Sequence, residues 1–234
     1  MSIFHNIPRV GLLCMVVALA ALLGGCSLDD NNNVQNVPVS YVSIYNGIPD
    51  APELDLTVDS RLVAPRGLRF GDNTYYQNFY TGNRNFQITP LGASNIVADT
   101  TIALMDGNAY SLFMVDEYSK AKILVTNDSL AIGEEGKVKV RLINLSPDAS
   151  PVSLGVKEGT GAIVERQAFK SASQFVTIDP GKYDFEIISS GTEAPLVVPD
   201  LDLQSGAVRT IVLRGYRNPP AGNTNVVSAQ VLIN

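Results

Sequence analysis

The sequence predicts an all-β protein in which two tandem β-sandwich modules follow an export signal and a flexible tether. Three observations predict this arrangement. Apolar and polar residues alternate with period 2 in several short segments, a block of sequence recurs after 98 or 99 residues, and an apolar N-terminal run ends at a cysteine. No stretch beyond that run combines a helical period with capping residues.

The N-terminus is typical of a bacterial lipoprotein signal. Residues 1–9 are polar and include Arg9, and an apolar run of about 14 residues follows, shorter than the roughly 20 that span a membrane as a helix. The ending Leu23-Gly24-Gly25-Cys26 resembles the lipobox. That resemblance implies that residues 1–25 are removed as a signal peptide and that Cys26 carries the lipid, palmitate among its acyl chains.

Residues 26–37 are rich in Asn and Asp and predict a flexible tether between the lipid and the first strand. Ser27 follows the cysteine, and Asp29 and Asp30 come soon after. These acidic residues resemble a signal for the outer face of the outer membrane. We therefore expect a cell-envelope protein whose partner is the membrane, through its N-terminal lipid, and which is exposed at the cell surface.

Composition excludes several chemistries from residues 26–234. This part of the chain has no histidine, no tryptophan and no cysteine other than Cys26, which rules out a Ser-His-Asp triad and a Cys or His zinc site. It carries 16 Lys and Arg against 23 Asp and Glu, a net charge of −7, with no basic patch for nucleic acid. We predict no cofactor and no metal site.

The internal repeat defines two modules, 38–130 and 137–234. Asn46-Gly47-Ile48-Pro49-Asp50-Ala51 pairs with Asn144-Leu145-Ser146-Pro147-Asp148-Ala149 at an offset of 98. Residues 82–88 pair with 181–187, and Gly107 with Gly206, at an offset of 99. Three blocks in one order at nearly constant spacing indicate a domain duplication. Because the linker 131–136 is short, we expect the modules to sit end to end.

Each module has seven predicted short strands. The first has strands around Val42 and Ile44 and in residues 54–58, 75–80, 85–89, 100–104, 109–115 and 122–126. The second has strands in residues 138–143, 152–156, 174–178, 184–188, 201–203, 208–214 and 226–233. About seven strands in about 95 residues indicate an immunoglobulin-like sandwich. A type II turn with positive φ at Gly181 is predicted in residues 179–182.

These blocks resemble the domain of unknown function DUF4397, whose repeats open with a strand, a P-D-A-P turn and a second strand. Residues 44–52 followed by 54–58 match this element, and residues 179–185 and 206–212 match two later ones. Ser150 replaces the second proline in the second repeat, and Gly155 interrupts its second strand. The resemblance implies tandem β modules of envelope and secreted proteins, and it transfers no catalytic residues.

Four groups of residues are candidates for function. Asp50 and Asp148 recur at equivalent positions and are predicted to shape their turns by hydrogen bonding to their own backbone. Glu53, Asp55 and Asp59 are oxygen-rich, but Asp55 lies between two strand leucines and is expected on an exposed face. Adjacent carboxylates occur at Asp116-Glu117 and Glu134-Glu135 and are the basis of a rival interpretation as a glycosidase.

The fourth group is aromatic: Tyr75, Tyr76, Phe79 and Tyr80. Exposed aromatic clusters stack on sugars or anchor partners, whereas alternate members, such as Tyr76 with Tyr80, would otherwise face a core. We predict a non-enzymatic lipoprotein that binds a glycan or a protein, or serves as a structural module, and the four aromatic residues are the candidate site. The alternatives are a carboxylate-dependent polysaccharide hydrolase and an accessory subunit of an outer-membrane complex.

Overall fold

The computed structural model describes residues 37–128, 135–191 and 194–234, and residues 37–234 belong to one compact unit. The predicted signal peptide, Cys26 and the tether up to residue 36 lie outside the described residues, as do residues 129–134 of the linker region. We call residues 37–128 the first half and residues 135–234 the second half. No helix in the described parts of the chain is long and apolar enough to cross a membrane.

The all-β prediction is confirmed. The described residues form eight strands in the first half and nine in the second half. The strands of the first half are β1 (Val39–Asn46), β2 (Leu54–Val58), β3 (Arg61–Leu68), β4 (Gln77–Tyr80), β5 (Gly82–Pro90), β6 (Ala98–Leu104), β7 (Ala109–Val115) and β8 (Lys122–Asn127). One 3-10 turn, Tyr118–Lys120, separates β7 from β8.

The strands of the second half are β9 (Val138–Asn144), β10 (Val152–Val156), β11 (Ala162–Gln167), β12 (Ser171–Ala172), β13 (Val176–Ile178), β14 (Gly181–Ser189), β15 (Leu196–Leu203), β16 (Val208–Arg214) and β17 (Ser228–Ile233). Three of the described strands, β3, β11 and β12, were not predicted. The Asp179–Lys182 turn also differs from the prediction, because Gly181 does not adopt a positive φ whereas Gly82, at the matching position, has a φ of 100°.

Each half consists of two sheets with the same strand order. In the first half the orders are β4-β1-β7-β8 and β3-β2-β5-β6. In the second half they are β12-β9-β16-β17, with β13 also paired to β9, and β11-β10-β14-β15. The first strand of each half pairs in parallel with the seventh or eighth, β1 with β7 and β9 with β16, and the remaining pairs are antiparallel.

Each pair of sheets encloses its own core. The first core includes Ile44, Leu56, Phe86 and Leu112, contributed by β1, β2, β5 and β7. The second core includes Leu142, Leu154, Phe185 and Ile211 from the corresponding strands. Side chains of alternate residues face these cores, as the period-2 pattern predicts.

A third cluster joins the two halves through the outer faces of β1, β7, β9 and β16. Tyr45, Phe113, Ile143 and Val212 are at most 2% exposed and belong to this cluster. Their chain neighbours Ile44, Leu112, Leu142 and Ile211 point the opposite way, into the two cores. The halves therefore meet through sheet faces and not end to end, which explains why these strands are apolar on both sides.

Candidate functional site

Two of the four candidate aromatic residues border a pocket of about 390 Å³ between the edge strands β3 and β4. It lies where the two sheets of the first half separate. The lining comprises Val58, Asp59, Arg61, Leu62, Val63, Asn78, Phe79, Tyr80 and Arg84.

Alternate side chains of β4 point to opposite sides of the sheet, so Phe79 and Tyr80 have different surroundings. Phe79 packs on the first core and tilts against Phe86 with ring centroids 5.8 Å apart. Tyr80 points outward and is 64% exposed, and Leu62 on the facing strand is 48% exposed. The pocket thus has an aromatic and aliphatic surface open to solvent, above a ring that is anchored in the core.

Arg84 holds the rim of this pocket in place. Its guanidinium donates from Nε to the carbonyl of Tyr80 at 2.9 Å, from Nη2 to that of Thr81 at 2.8 Å, and from Nη1 to Asp59 Oδ2 at 3.0 Å. The backbone N–H of Asn85 donates to the other oxygen of Asp59 at 3.0 Å. This hydrogen bond, with the contribution of Arg84, lowers the pKa of Asp59 below its ordinary value of 3.8.

The chemistry of this lining suits recognition of a polar molecule with an apolar face. Tyr80 and Leu62 supply a surface on which a sugar ring or a partner side chain can lie. Asn78 and Arg61 add an amide and a guanidinium at the same rim. Apolar surface with polar groups placed beside it is typical of binding sites.

The other two aromatic residues lie elsewhere. Tyr75 is 88% exposed and does not line the pocket. Tyr76 is partly buried and donates its hydroxyl hydrogen to Asp128 Oδ2 at 2.8 Å, and burial raises the pKa of its phenol. The four residues therefore do not form one surface. The expectation that Tyr76 and Tyr80 would face the core is wrong, because the side chain of Phe79 packs on the core instead.

Tyr76 belongs to a buried polar network between the halves that sequence reasoning missed. Arg141 Nη1 donates to Asp128 Oδ1 at 2.5 Å, and Arg141 Nε donates to Thr210 at 2.8 Å. Thr210 in turn contacts Asn234, which donates to the Tyr76 hydroxyl at 3.1 Å. Arg141 alternates with Val140 and Leu142, a pattern that normally indicates an exposed face, so the sequence offers no signal for its burial.

Asp50 and Asp148 do take equivalent roles, but their partners are distant along the chain. Asp50 accepts a hydrogen bond from the backbone N–H of Tyr118 at 2.8 Å. Asp148 accepts from those of Arg217 and Asn218 at 2.8 and 2.7 Å. Each carboxylate ties its turn to the segment after the parallel partner strand, and not to its own backbone as predicted.

The three acidic residues near the first turn each pair with a different arginine. Glu53 contacts Arg69, Asp55 contacts Arg66, and Asp59 contacts Arg84. Asp55 is only 2% exposed, so the prediction of an exposed face is wrong. Among the described residues, no three His, Cys, Asp or Glu side chains are grouped so that they could hold a metal ion.

The adjacent carboxylates of Asp116 and Glu117 serve separate contacts. Asp116 Oδ2 receives the ammonium of Lys170 at 2.6 Å across the two halves, and Glu117 Oε2 receives that of Lys120 at 2.7 Å. Asp116 has a φ of 84°, which holds it in the left-handed region. Glu134 lies outside the described residues.

The first half is thus a β-sheet pair with an open aromatic pocket at its edge, and its sequence is similar to a family of protein domains. The family model of the domain of unknown function DUF4397 matches residues 40–155, just under half of the chain. This match agrees with the resemblance over the first repeat and the opening of the second.

No curated protein matches the sequence. Two solved structures of proposed cell adhesion proteins align with 84% of this chain. The one from Parabacteroides distasonis is 9% identical, is covered over 99% of its length and has a TM-score of 0.22. The one from Bacteroides eggerthii is 8% identical, is covered over 94% of its length and has a TM-score of 0.21.

Proposed function

We propose that this chain is a non-enzymatic, envelope-anchored lipoprotein that binds an extracellular glycan through the pocket between β3 and β4. The observation that carries the proposal is the exposed ring of Tyr80 beside Leu62, above a pocket whose rim also holds Asn78 and Arg61. Aromatic rings with neighbouring amide and guanidinium groups suit sugars, which have apolar faces and hydroxyl edges. A protein partner that inserts an apolar side chain is the alternative occupant.

We also propose that the two halves are duplicated immunoglobulin-like modules. This proposal is supported by the identical strand order of the two halves and by the parallel pairing of the opening strand in each. Asn46 and Asn144 add to it, because both are fully buried and both accept a hydrogen bond from the backbone N–H two residues later.

Lipid anchoring is supported by the sequence. The short apolar run before Cys26 and the Asn- and Asp-rich stretch after it place about ten residues of tether ahead of β1. Two or more acyl chains hold a protein stably on a bilayer. In this arrangement the two sheet pairs stand outside the lipid surface with the pocket available to an external ligand.

The binding part is tested with residues 37–234, which form a compact unit, on an array of envelope and host glycans. Tyr80→Ala should abolish binding to any positive glycan. Tyr75→Ala is the matched control, because Tyr75 is more exposed than Tyr80 and lies outside the pocket. Equal loss in both variants, or binding that survives Tyr80→Ala, would contradict this site.

The same array tests the rival enzyme. Product analysis by mass spectrometry after long incubation should show every bound oligosaccharide intact. Cleavage that disappears on substitution of Asp116 or Glu117 would favour the hydrolase instead.

The anchor is tested by mass spectrometry of the protein purified from cells. The expected mature N-terminus is Cys26 with fatty acid attached, and Cys26→Ala should leave the chain unlipidated and released from membranes. Recovery of a chain that retains Met1 and carries no lipid would contradict the anchor and the location inferred from it.

A further inference from the structure

A groove of about 390 Å³ lies on the outer face of the sheet β3-β2-β5-β6, next to the pocket between β3 and β4. We call it the outer groove. Its volume falls within the range of about 300–1,000 Å³ that is usual for ligand sites. The residues of β2 and β5 that line it alternate with residues that face the first core, such as Leu56 and Ile88.

The buried carboxylate of Asp55 connects two parts of the outer groove. Its side chain is 3% exposed, and its Oδ2 contacts Nη2 of Arg66 at 2.7 Å. The backbone N–H groups of Gly67, on β3, and Gly92, in the loop between β5 and β6, donate to the same carboxylate, each at 3.1 Å. One carboxylate therefore ties the edge strand β3 to this loop, so the two sides of the groove keep a fixed spacing.

The surface of the outer groove combines polar groups with an apolar side chain. Thr57 and Gln87 are register partners on β2 and β5, and Thr89 lies two residues further along β5. Ser94 adds a hydroxyl group, and Ile96, which is 51% exposed, adds an apolar surface. Hydroxyl and amide groups beside an apolar surface suit a sugar ring, because they can donate and accept hydrogen bonds with its hydroxyl groups.

The corresponding sheet of the second half lacks the two threonine hydroxyl groups. Gly155 occupies the place of Thr57 in the register of β10 with β14. Ile188 occupies the place of Thr89 in the same register. Because the two sheets have the same strand order, this fold does not require hydroxyl groups at these positions. A structural role therefore does not account for them in the first half.

Leu62 connects the outer groove with the pocket at Tyr80. It lines both of them and is 48% exposed. It lies on the edge strand β3, where its register partner on β2 is Thr57. A ligand that lies on Tyr80 and extends across Leu62 therefore enters the outer groove.

Ion pairs in the groove and in the pocket favour a neutral ligand. Arg66 contacts Asp55, and Arg84 contacts Asp59 at 3.0 Å. Arg61 also interacts electrostatically with Asp59. The whole chain carries a formal net charge of −6, which repels acidic ligands.

We propose that the pocket and the outer groove form one extended site for a neutral, linear oligosaccharide, with sugar rings on both sides of Leu62. This inference rests on the proposed function, because one end of the sugar chain lies on Tyr80. The rings beyond Leu62 lie against Ile96, and their hydroxyl groups bond to Gln87 and Ser94. A disaccharide fills only the part at Tyr80, so the affinity increases with the length of the sugar chain.

The test is calorimetric titration of residues 37–234, and of the full chain in detergent, with cellohexaose, mannohexaose and xylohexaose and with the disaccharide of each series. We expect at least one hexasaccharide to bind saturably and about tenfold more tightly than its disaccharide. Gln87→Ala should remove this difference by weakening only the hexasaccharide. Leu62→Ser should weaken both ligands, and Tyr80→Ala should abolish the binding of both.

Gln204→Ala is the matched control, since it makes the same change at an exposed glutamine of the second half, outside the pocket and the outer groove. It should change either affinity less than about twofold, and circular dichroism should show all variants folded. Equal effects of Gln87→Ala and Gln204→Ala on the hexasaccharide would overturn the inference.

Two further results would overturn the extended site without deciding against the pocket at Tyr80. The first is equal affinity of the parent chain for hexasaccharide and disaccharide; if Tyr80→Ala then abolished both, the glycan pocket would stand alone. The second is no saturable binding of any hexasaccharide, in which case a glycan of another kind that binds on the array and is lost in Tyr80→Ala would still support the pocket. Failure of both experiments would overturn the proposed function as well.

Discussion

Arg141 of the second half donates to Asp128 at the end of the first half over 2.5 Å, and both side chains are at most 2% exposed. Thr126 and Ser111 also contact the Asp128 carboxylate, and the apolar cluster of Tyr45, Phe113, Ile143 and Val212 includes residues on the same outer faces of β9 and β16. A charged pair at such a place fixes how the two sheet pairs meet, because neither charge can reach water if they separate only slightly.

Removing one member of this pair should destabilise both halves together. We expect Arg141→Met to lower the free energy of unfolding by about 3–5 kcal/mol, because it leaves the Asp128 carboxylate buried without its partner. Urea unfolding of residues 37–234, followed by far-UV circular dichroism, measures this. Glu53→Gln is the control, since it removes an exposed ion pair and should cost less than about 1 kcal/mol. Similar losses in both variants would contradict the role of burial.

We expect the buried residues Asn46 and Asn144 to contribute equally to the free energy of unfolding. Asn46 accepts from the N–H of Ile48 at 3.0 Å and donates to the carbonyl of Leu68 at 2.9 Å. Asn144 makes the same pair of contacts with Ser146 and Gln167. Either residue changed to Ala leaves buried backbone groups unpaired, with an expected loss of about 2–3 kcal/mol in urea unfolding. The exposed Asn83→Ala should stay within about 0.5 kcal/mol, and a comparable loss there would refute the assignment.

Asp55 should make stability depend on acid pH. Arg66, together with the N–H groups of Gly67 and Gly92, holds the pKa of this buried carboxyl below its ordinary value of 3.8. Because the folded pKa is the lower one, its stabilisation is present above the ordinary value and disappears as the pH falls through the folded pKa.

We therefore expect the free energy of unfolding, measured in urea from pH 7 to pH 2, to fall less steeply in Asp55→Asn than in the parent chain. The exposed Asp99→Asn provides the comparison and should keep the parent slope. An Asp55→Asn curve parallel to the parent curve would show that this carboxyl does not contribute.

We expect Phe79 to contribute to the stability of the fold and Tyr80 to contribute to binding only. Phe79→Ala removes a ring packed on Phe86, and we expect it to lower the free energy of unfolding by about 2–4 kcal/mol. Tyr80→Ala removes a mostly exposed ring and should change it by about 0.5 kcal/mol or less. Thermal and urea unfolding of both variants measure this. A large loss in Tyr80→Ala would mean that its ring supports the fold.

Gly215 and Gly206 offer a matched pair for backbone strain. Both have a φ near 80°, but a Cβ at Gly215 would lie 2.4 Å from the carbonyl oxygen of Val226, whereas one at Gly206 meets open space. Gly206→Ala should cost about 1–2 kcal/mol for the left-handed backbone alone. Gly215→Ala should cost clearly more in urea unfolding, and equal values would exclude the steric contribution.

The sequence predicted most strands of the cores because these alternate clearly. It missed β3, which contains Pro65 and Arg66, and β11, which contains Glu165 and Arg166. These edge strands depend on tertiary contacts: Asp55 holds Arg66 and Gly67, and the equivalent Ser153 accepts from the N–H of Arg166. In the sequence, a carboxylate between two leucines, such as Asp55, indicates an exposed strand position. Its burial could not be predicted because it depends on Arg66, which the fold places beside it.

The candidate site could be predicted only in part. The aromatic density of residues 75–80 pointed to the right strand, but the inward direction of Phe79 and the facing Leu62 come from the pairing of sheets. The buried pair of Arg141 and Asp128 between the halves has no local sequence signal, because it forms only when the two halves are brought together.

The parallel pairing of β1 with β7 joins residues 41–46 to residues 109–114, so the opening strand gains this second neighbour only after most of the first half has been made. The same delay recurs in the second half between β9 and β16. High contact order of this kind slows folding, because loop entropy is lost before the long-range pairs form. A chain that completes these parallel pairs this late keeps strand edges unpaired for longer, the condition in which folding chains associate with one another.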